Sequence, residues 1–128
     1  MVQLFEVSEP SELPIPQPIL EVRFFQTASS KEPVRDWLKA LEREDRKSIG
    51  EDIKTAQFGW PLGMPLVRKL EKNLWEVRTN IKSGIARVLF AVIGNQMVLL
   101  HGFVKKSQKT PKPDLEIARK RLKLLEDA

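Results

Sequence analysis

Ten basic side chains, Arg68, Lys69, Lys72, Arg78, Lys82, Arg87, Lys105, Lys106, Lys109 and Lys112, fall in one stretch that holds only two acidic ones, Glu71 and Glu76. Over the rest of the 128 residues acidic side chains outnumber basic ones, so the net charge of +5 is concentrated in that stretch. Such a cluster suits a surface that meets phosphate, because ammonium and guanidinium groups neutralise the anion and arginine's fork matches its oxygens. The single histidine, His101, brings a second capability, since an imidazole ordinarily titrates at about 6.5 and can carry protons. Flanked by Leu100 and Gly102 in an apolar run, it also reads as a hydrogen-bonded structural histidine. Other chemistries find little support. There is no cysteine for a thiolate, Ser107 has no histidine and acid beside it, and Gly59, Gly63, Gly84, Gly94 and Gly102 form no phosphate loop. Two carboxylates in the basic half are too few for a catalytic metal, so no metal and no cofactor is expected.

The elements that must position these groups are legible in outline. Residues 1–18 hold four prolines and three glutamates with no basic residue, and read as an acidic, proline-rich leader outside the folded domain, 19–128. Ile19 to Phe25 is a dense β-branched and aromatic run, hence a strand. Ser29 and Glu32 have capping-box spacing, and Val34, Trp37, Leu38 and Leu41 follow at i, i+3, i+4 and i+7, which predicts a helix. After a charged joint at Arg43 to Arg46, Ile49, Ile53 and Ala56 continue at helical spacing until Gly59 and Pro61.

The second half reads as sheet. Strands are predicted at Leu74–Arg78, Arg87–Ile93 and Met97–Val104, the last two joined by a hairpin at Gly94-Asn95. A terminal helix should follow Pro111 and Pro113, with Leu115, Ala118, Leu122 and Leu125 on one face. The predicted order is βααβββα, an α+β protein. Alternation within strands places Arg87 on the face of Leu89, Ala91 and Ile93, Arg78 on the face of Glu76, and Lys105 on that of His101 and Phe103. A charge in an apolar row needs a partner, which singles out Arg87. The four lysines between 105 and 112 leave a strand and enter a helix, so their loop is held at both ends. Trp37, Trp60 and Trp75 read as packing residues. No apolar run approaches the roughly 20 residues of a membrane span, and the N-terminus lacks the order of a secretory signal, so a cytoplasmic protein without membrane contact is expected.

The succession Leu74-Trp75-Glu76-Val77-Arg78, then Arg87-Val88-Leu89-Phe90, then Leu99 through Pro111 with its HGFVKKSQKTP ending, resembles the phage-derived HigB-like branch of the RelE/ParE toxin superfamily across about residues 19–125. The resemblance implies helices packed on a small curved antiparallel sheet. It also implies a toxin that cleaves messenger RNA on the ribosome and is restrained by a cognate antitoxin, usually a HigA-like helix-turn-helix protein. The oligomeric state is left open.

Breaking RNA without a metal requires the 2′-hydroxyl to attack the adjacent phosphate. One proton must be removed, the extra phosphorane charge neutralised, and the leaving 5′-oxygen protonated. By resemblance Arg87 grips the scissile phosphate, Arg78 is the basic residue of the first meander strand, and Lys105 or Lys106 is the basic position after the last. His101 is a further candidate for proton transfer. Arg68, Lys69, Lys82, Lys109 and Lys112 are expected to bind RNA. Several RelE-like toxins stack a C-terminal tyrosine on the substrate base, and this chain has no tyrosine, so stacking passes to Phe103. Two other readings stand beside this one: a non-catalytic module that binds RNA or ribosomes through the same patch, and a ParE-like protein that acts on gyrase.

Overall fold

A computed structural model describes residues 15–128; most of the expected leader lies outside the described residues. Eight elements follow in the order β1 (Glu21–Phe24), α1 (Pro33–Ala40), α2 (Arg43–Gly59), β2 (Val67–Glu71), β3 (Leu74–Ile81), β4 (Gly84–Ile93), β5 (Gln96–Lys105) and α3 (Lys112–Glu126). The sheet runs β1-β5-β4-β3-β2. Its β2 to β5 meander is antiparallel, while β1 joins β5 in parallel. The α+β class, the two early helices and the terminal helix are as predicted.

Three local expectations are corrected. β2 was not anticipated: in VRKLE two cations interrupt the apolar pattern, and a register shift between Lys69 and Glu71 breaks what alternation remains. The order is therefore βααββββα. The capping box does not form. Ser29 Oγ lies 3.1 Å from Thr27 Oγ1 in a turn where Ser30 has φ 67°, and α1 begins four residues later, with Pro33 in its first turn after Glu32. Proline's fixed φ and missing N–H suit that first turn, and this outweighs the Ser29 signal. Finally, Arg43 to Arg46 is the first turn of α2, and the break falls at Leu41 and Glu42, where the backbone is extended.

The sheet is covered on both faces, which accounts for the hydrophobic central strands. Val34 of α1 and Ile49, Ile53 and Ala56 of α2 bury Val77, Val88, Phe90, Met97 and Leu99 on one side. Ala118 and Leu122 of α3 bury Leu74, Leu89, Ala91, Val98 and Leu100 on the other. The tryptophans pack as expected: Trp60 meets Trp75 edge-on at 5.1 Å and Phe90 at 5.6 Å. Trp37 lies against Gly102, where no side chain would fit.

A bulge in β5 matters most for the site. Leu89 is opposite His101 and Phe90 is opposite Leu99, so Leu100 is an extra residue. The insertion resets the alternation, leaving His101 and Phe103 on the α3 side with Leu100 while Gly102 turns to Trp37. Arg121 of α3 donates from Nη1 to the carbonyl of Leu100 at 2.7 Å, satisfying an acceptor at the bulge.

Candidate functional site

Beyond the N-terminal end of α3, the α3 face of the sheet carries arginine from three neighbouring strands. Arg68 of β2 is opposite Glu76 of β3, and Arg78 of β3 is opposite Arg87 of β4, which is in turn opposite Phe103 of β5. Register partners project to the same side. The segment Lys106–Pro111, running from β5 to α3, passes directly over them.

Its backbone carbonyls take up the guanidinium groups. Arg87 donates from Nη1 to Lys109 O at 3.0 Å and from Nη2 to Ser107 O. Arg78 donates from Nη2 to Gln108 O at 3.2 Å and to Gln108 Oε1 at 3.1 Å, and Arg68 reaches Gln108 O at 3.5 Å. Beneath the arginines lies Glu76, fully buried, with Arg78 Nε 3.7 Å from Oε1 and the Thr110 hydroxyl donating to Oε2 at 2.8 Å. One carboxylate thus opposes three cations and also ties down the far end of the loop. Oε1 of Glu76 and Nε of Arg87 have no hydrogen-bond partner.

Arg87 is 0% exposed, the largest fully buried side chain among the described residues. Burial pushes its pKa down; Glu76 opposes that shift, while Arg78 and Arg68 add to it. An arginine titrates so high that the group stays charged, so its burial must be compensated by the two carbonyls and Glu76. The guanidinium also lies 5.6 Å over the Phe103 ring. Phe103 itself is 7% exposed and also stacks with His101, at 5.6 Å. The ring expected to stack on a substrate base is therefore engaged by protein groups.

His101 lies on this face with Nε2 2.8 Å from Asp114 Oδ1 in the first turn of α3. The imidazole is hydrogen-bonded, and the bond links β5 to the start of that helix.

The lysines divide. Lys105 ends β5 opposite Ile85, and Lys106, Lys109 and Lys112 are exposed along the loop that covers the arginines and at the first residue of α3. Lys69 is not among them: it sits 5.8 Å over Trp75 on the opposite face. Lys82, at the β3–β4 turn, lines a recess with Glu42, Glu44 and Glu51. Among the described residues, no three of His, Asp and Glu come together in a form that would hold a metal.

Next to Arg78 a groove of about 480 Å³ opens between the Met64-Pro65-Leu66 segment and Gln108, floored by Asn80 and Ile85. Asn80 and Ile85 are opposite one another on β3 and β4, two positions along from Arg78 and Arg87. The segment before β2 is tied to the floor by the Arg78 N–H, which donates to Leu66 O at 3.0 Å. Glu76, Thr110, Gln108, Asn80 and Asp114 were not singled out as site residues from sequence. Glu76 alone carried a signal, alternating with Leu74 and Arg78 along a strand; the others are ordinary polar residues until the fold brings them to one place.

A model of the phage-derived Gp49-like proteins (DUF891) matches residues 36–123, from α1 into α3. No curated protein matches the chain. No helix among the described residues is long and apolar enough to cross a membrane.

Proposed function

The chain belongs to the phage-derived Gp49-like family, a RelE/HigB-like toxin family, and from that premise we propose that it is the toxin of a toxin–antitoxin pair that cleaves messenger RNA on the ribosome without a metal. The observation that carries the reading is the convergence of Arg68, Arg78 and Arg87 with the exposed lysines of the 105–112 stretch at one end of the sheet. Few arrangements other than polyanion binding need so much positive charge in one place, because like charges repel unless an anion is present.

In this mechanism the RNA backbone runs along the loop, its phosphates on Lys105, Lys106, Lys109 and Lys112. Arg78, reached from the groove, neutralises the charge that develops on the scissile phosphorane. The 2′-oxygen bonds to phosphorus and the 5′-oxygen leaves, giving a 2′,3′-cyclic phosphate and a 5′-hydroxyl. The amine of Lys105 or Lys106 moves the protons. Arg87 acts from below as a positioning residue: with two loop carbonyls on its guanidinium, it holds the lysines where the RNA meets them. A helix-turn-helix antitoxin would silence the toxin by laying acidic surface over the same cations.

Induced expression with primer-extension mapping tests this. New messenger 5′ ends inside translated regions are expected with the wild-type chain, and none with Arg78→Ala. Growth arrest without new ends would overturn the nuclease reading. A second reading, a non-catalytic RNA- or ribosome-binding module, is favoured by one observation: Arg87 is closed off beneath the loop and presents no donor to solvent. It predicts ribosome co-sedimentation with messages left intact.

A further inference from the structure

We propose that the groove beside Arg78 holds and reads one unpaired nucleobase of the RNA, with Asn80 and Gln108 contacting its edge and Met64 lying on its face. The inference rests on RNA being the ligand of the cationic surface, and it adds a selectivity site to that reading. The groove's volume of about 480 Å³ falls within the roughly 300–1,000 Å³ of small-ligand sites. Its composition is that of a base site. Met64, 70% exposed, and Ile85 offer apolar surface for a flat ring, and a thioether packs well against aromatic faces.

The polar groups are placed to discriminate. Gln108 accepts from Arg78 through Oε1, which fixes its amide and turns its NH₂ to donate. Asn80, exposed on the floor, carries both a donor and an acceptor. Amide side chains pair with base edges through just such adjacent groups, and unpaired RNA presents those edges freely. Arg78 joins the two functions: the guanidinium that borders the groove is the one that faces the phosphate, so a base seated there brings its own backbone to the cations. The site also supplies what Phe103 does not, since that ring is covered by Arg87 and His101.

The test uses the full chain and uncleavable 2′-O-methyl oligoribonucleotides that differ only at one central base, with binding followed by fluorescence anisotropy. The wild type should bind the best of the four bases about tenfold more tightly than the worst, as expected for one good amide–base pairing. Asn80→Ala should compress that ratio to about twofold. Met64→Ala should weaken all four by up to about tenfold while keeping their ranking, because stacking is tolerant of sequence. Equal affinity for the four bases in the wild type, an unchanged ratio in Asn80→Ala, or no binding at all would overturn the proposal. Because the readout needs no cleavage, a base preference without new messenger ends would reject the nuclease reading and leave this one standing.

Discussion

Arg78 and Arg87 are opposite one another on adjacent strands, yet burial gives them different work. Arg87→Met would leave the Ser107 and Lys109 carbonyls without their donor and remove one of the cations that oppose the buried Glu76. A loss of about 3–5 kcal/mol in unfolding free energy is expected, measured by urea denaturation; a midpoint equal to wild type would show that Arg87 does not clamp the loop. Arg78→Ala removes hydrogen bonds to the exposed Gln108 and the 3.7 Å ion pair to the buried Glu76, which Arg87 and Thr110 still face, so its stability cost should be the smaller, about 1–2 kcal/mol. Its effect belongs to the reaction, with cleavage slowed about 10²-fold, as when one preorganised donor is removed from a developing negative charge. On the proposed function both variants should lose toxicity, Arg87→Met through a weakened fold and Arg78→Ala through the reaction.

Between elements, two contacts hold the strand that leads into the loop. A Cβ at Gly102 would stand 2.8 Å from Trp37 Cδ2 and nearer still to adjoining ring carbons, so Gly102→Ala forces α1 away from β5. That overpacking should cost about 1–3 kcal/mol, read as a lowered melting temperature by circular dichroism. On the other face, Arg121→Ala would strand the Leu100 carbonyl at the bulge. A cost of about 1–3 kcal/mol is expected for the acceptor left buried without a partner, and a melting curve unchanged from wild type would show that water replaces the guanidinium.

For the whole molecule, the charge distribution makes a prediction about salt. Four phosphate contacts from Lys105, Lys106, Lys109 and Lys112 on a single strand give log K falling with log salt at a slope of about −0.7 each, near −3 in total. Changing Lys105, Lys106 and Lys109 together to Gln should flatten the slope by about 2. A slope the substitutions leave intact would place the RNA elsewhere. Cleavage is also expected to persist in EDTA, assayed on a short RNA or on ribosomes stabilised by polyamine, because the groups assigned to the reaction are cations. Rescue by one particular divalent ion would contradict that assignment.

Much of this was determined by the sequence alone, because the deciding physics is local. The period of apolar residues along 34–41 and 49–56 sets two helices, the Gly94-Asn95 dipeptide sets a hairpin, and the basic run between 68 and 112 sets the sign of the charge that stretch carries whatever the fold. Even the demand of Arg87 for a partner was legible, as a charge in an apolar row. What only the tertiary structure decided depends on residues far apart in the chain. The partners of Arg87 are backbone carbonyls about twenty residues away, and carbonyls leave no mark in a sequence. The bulge at Leu100 reverses the facing of His101 and Phe103, because it depends on how β4 and β5 align. β2 is a strand through its pairing with β3, with little of the apolar alternation that marks one in sequence. The groove beside Arg78 exists because a turn before β2 and a loop after β5 meet across strands that neither of them adjoins in sequence. Local periodicity records which side chains are buried; the identity of what lies opposite them is a property of the closed fold.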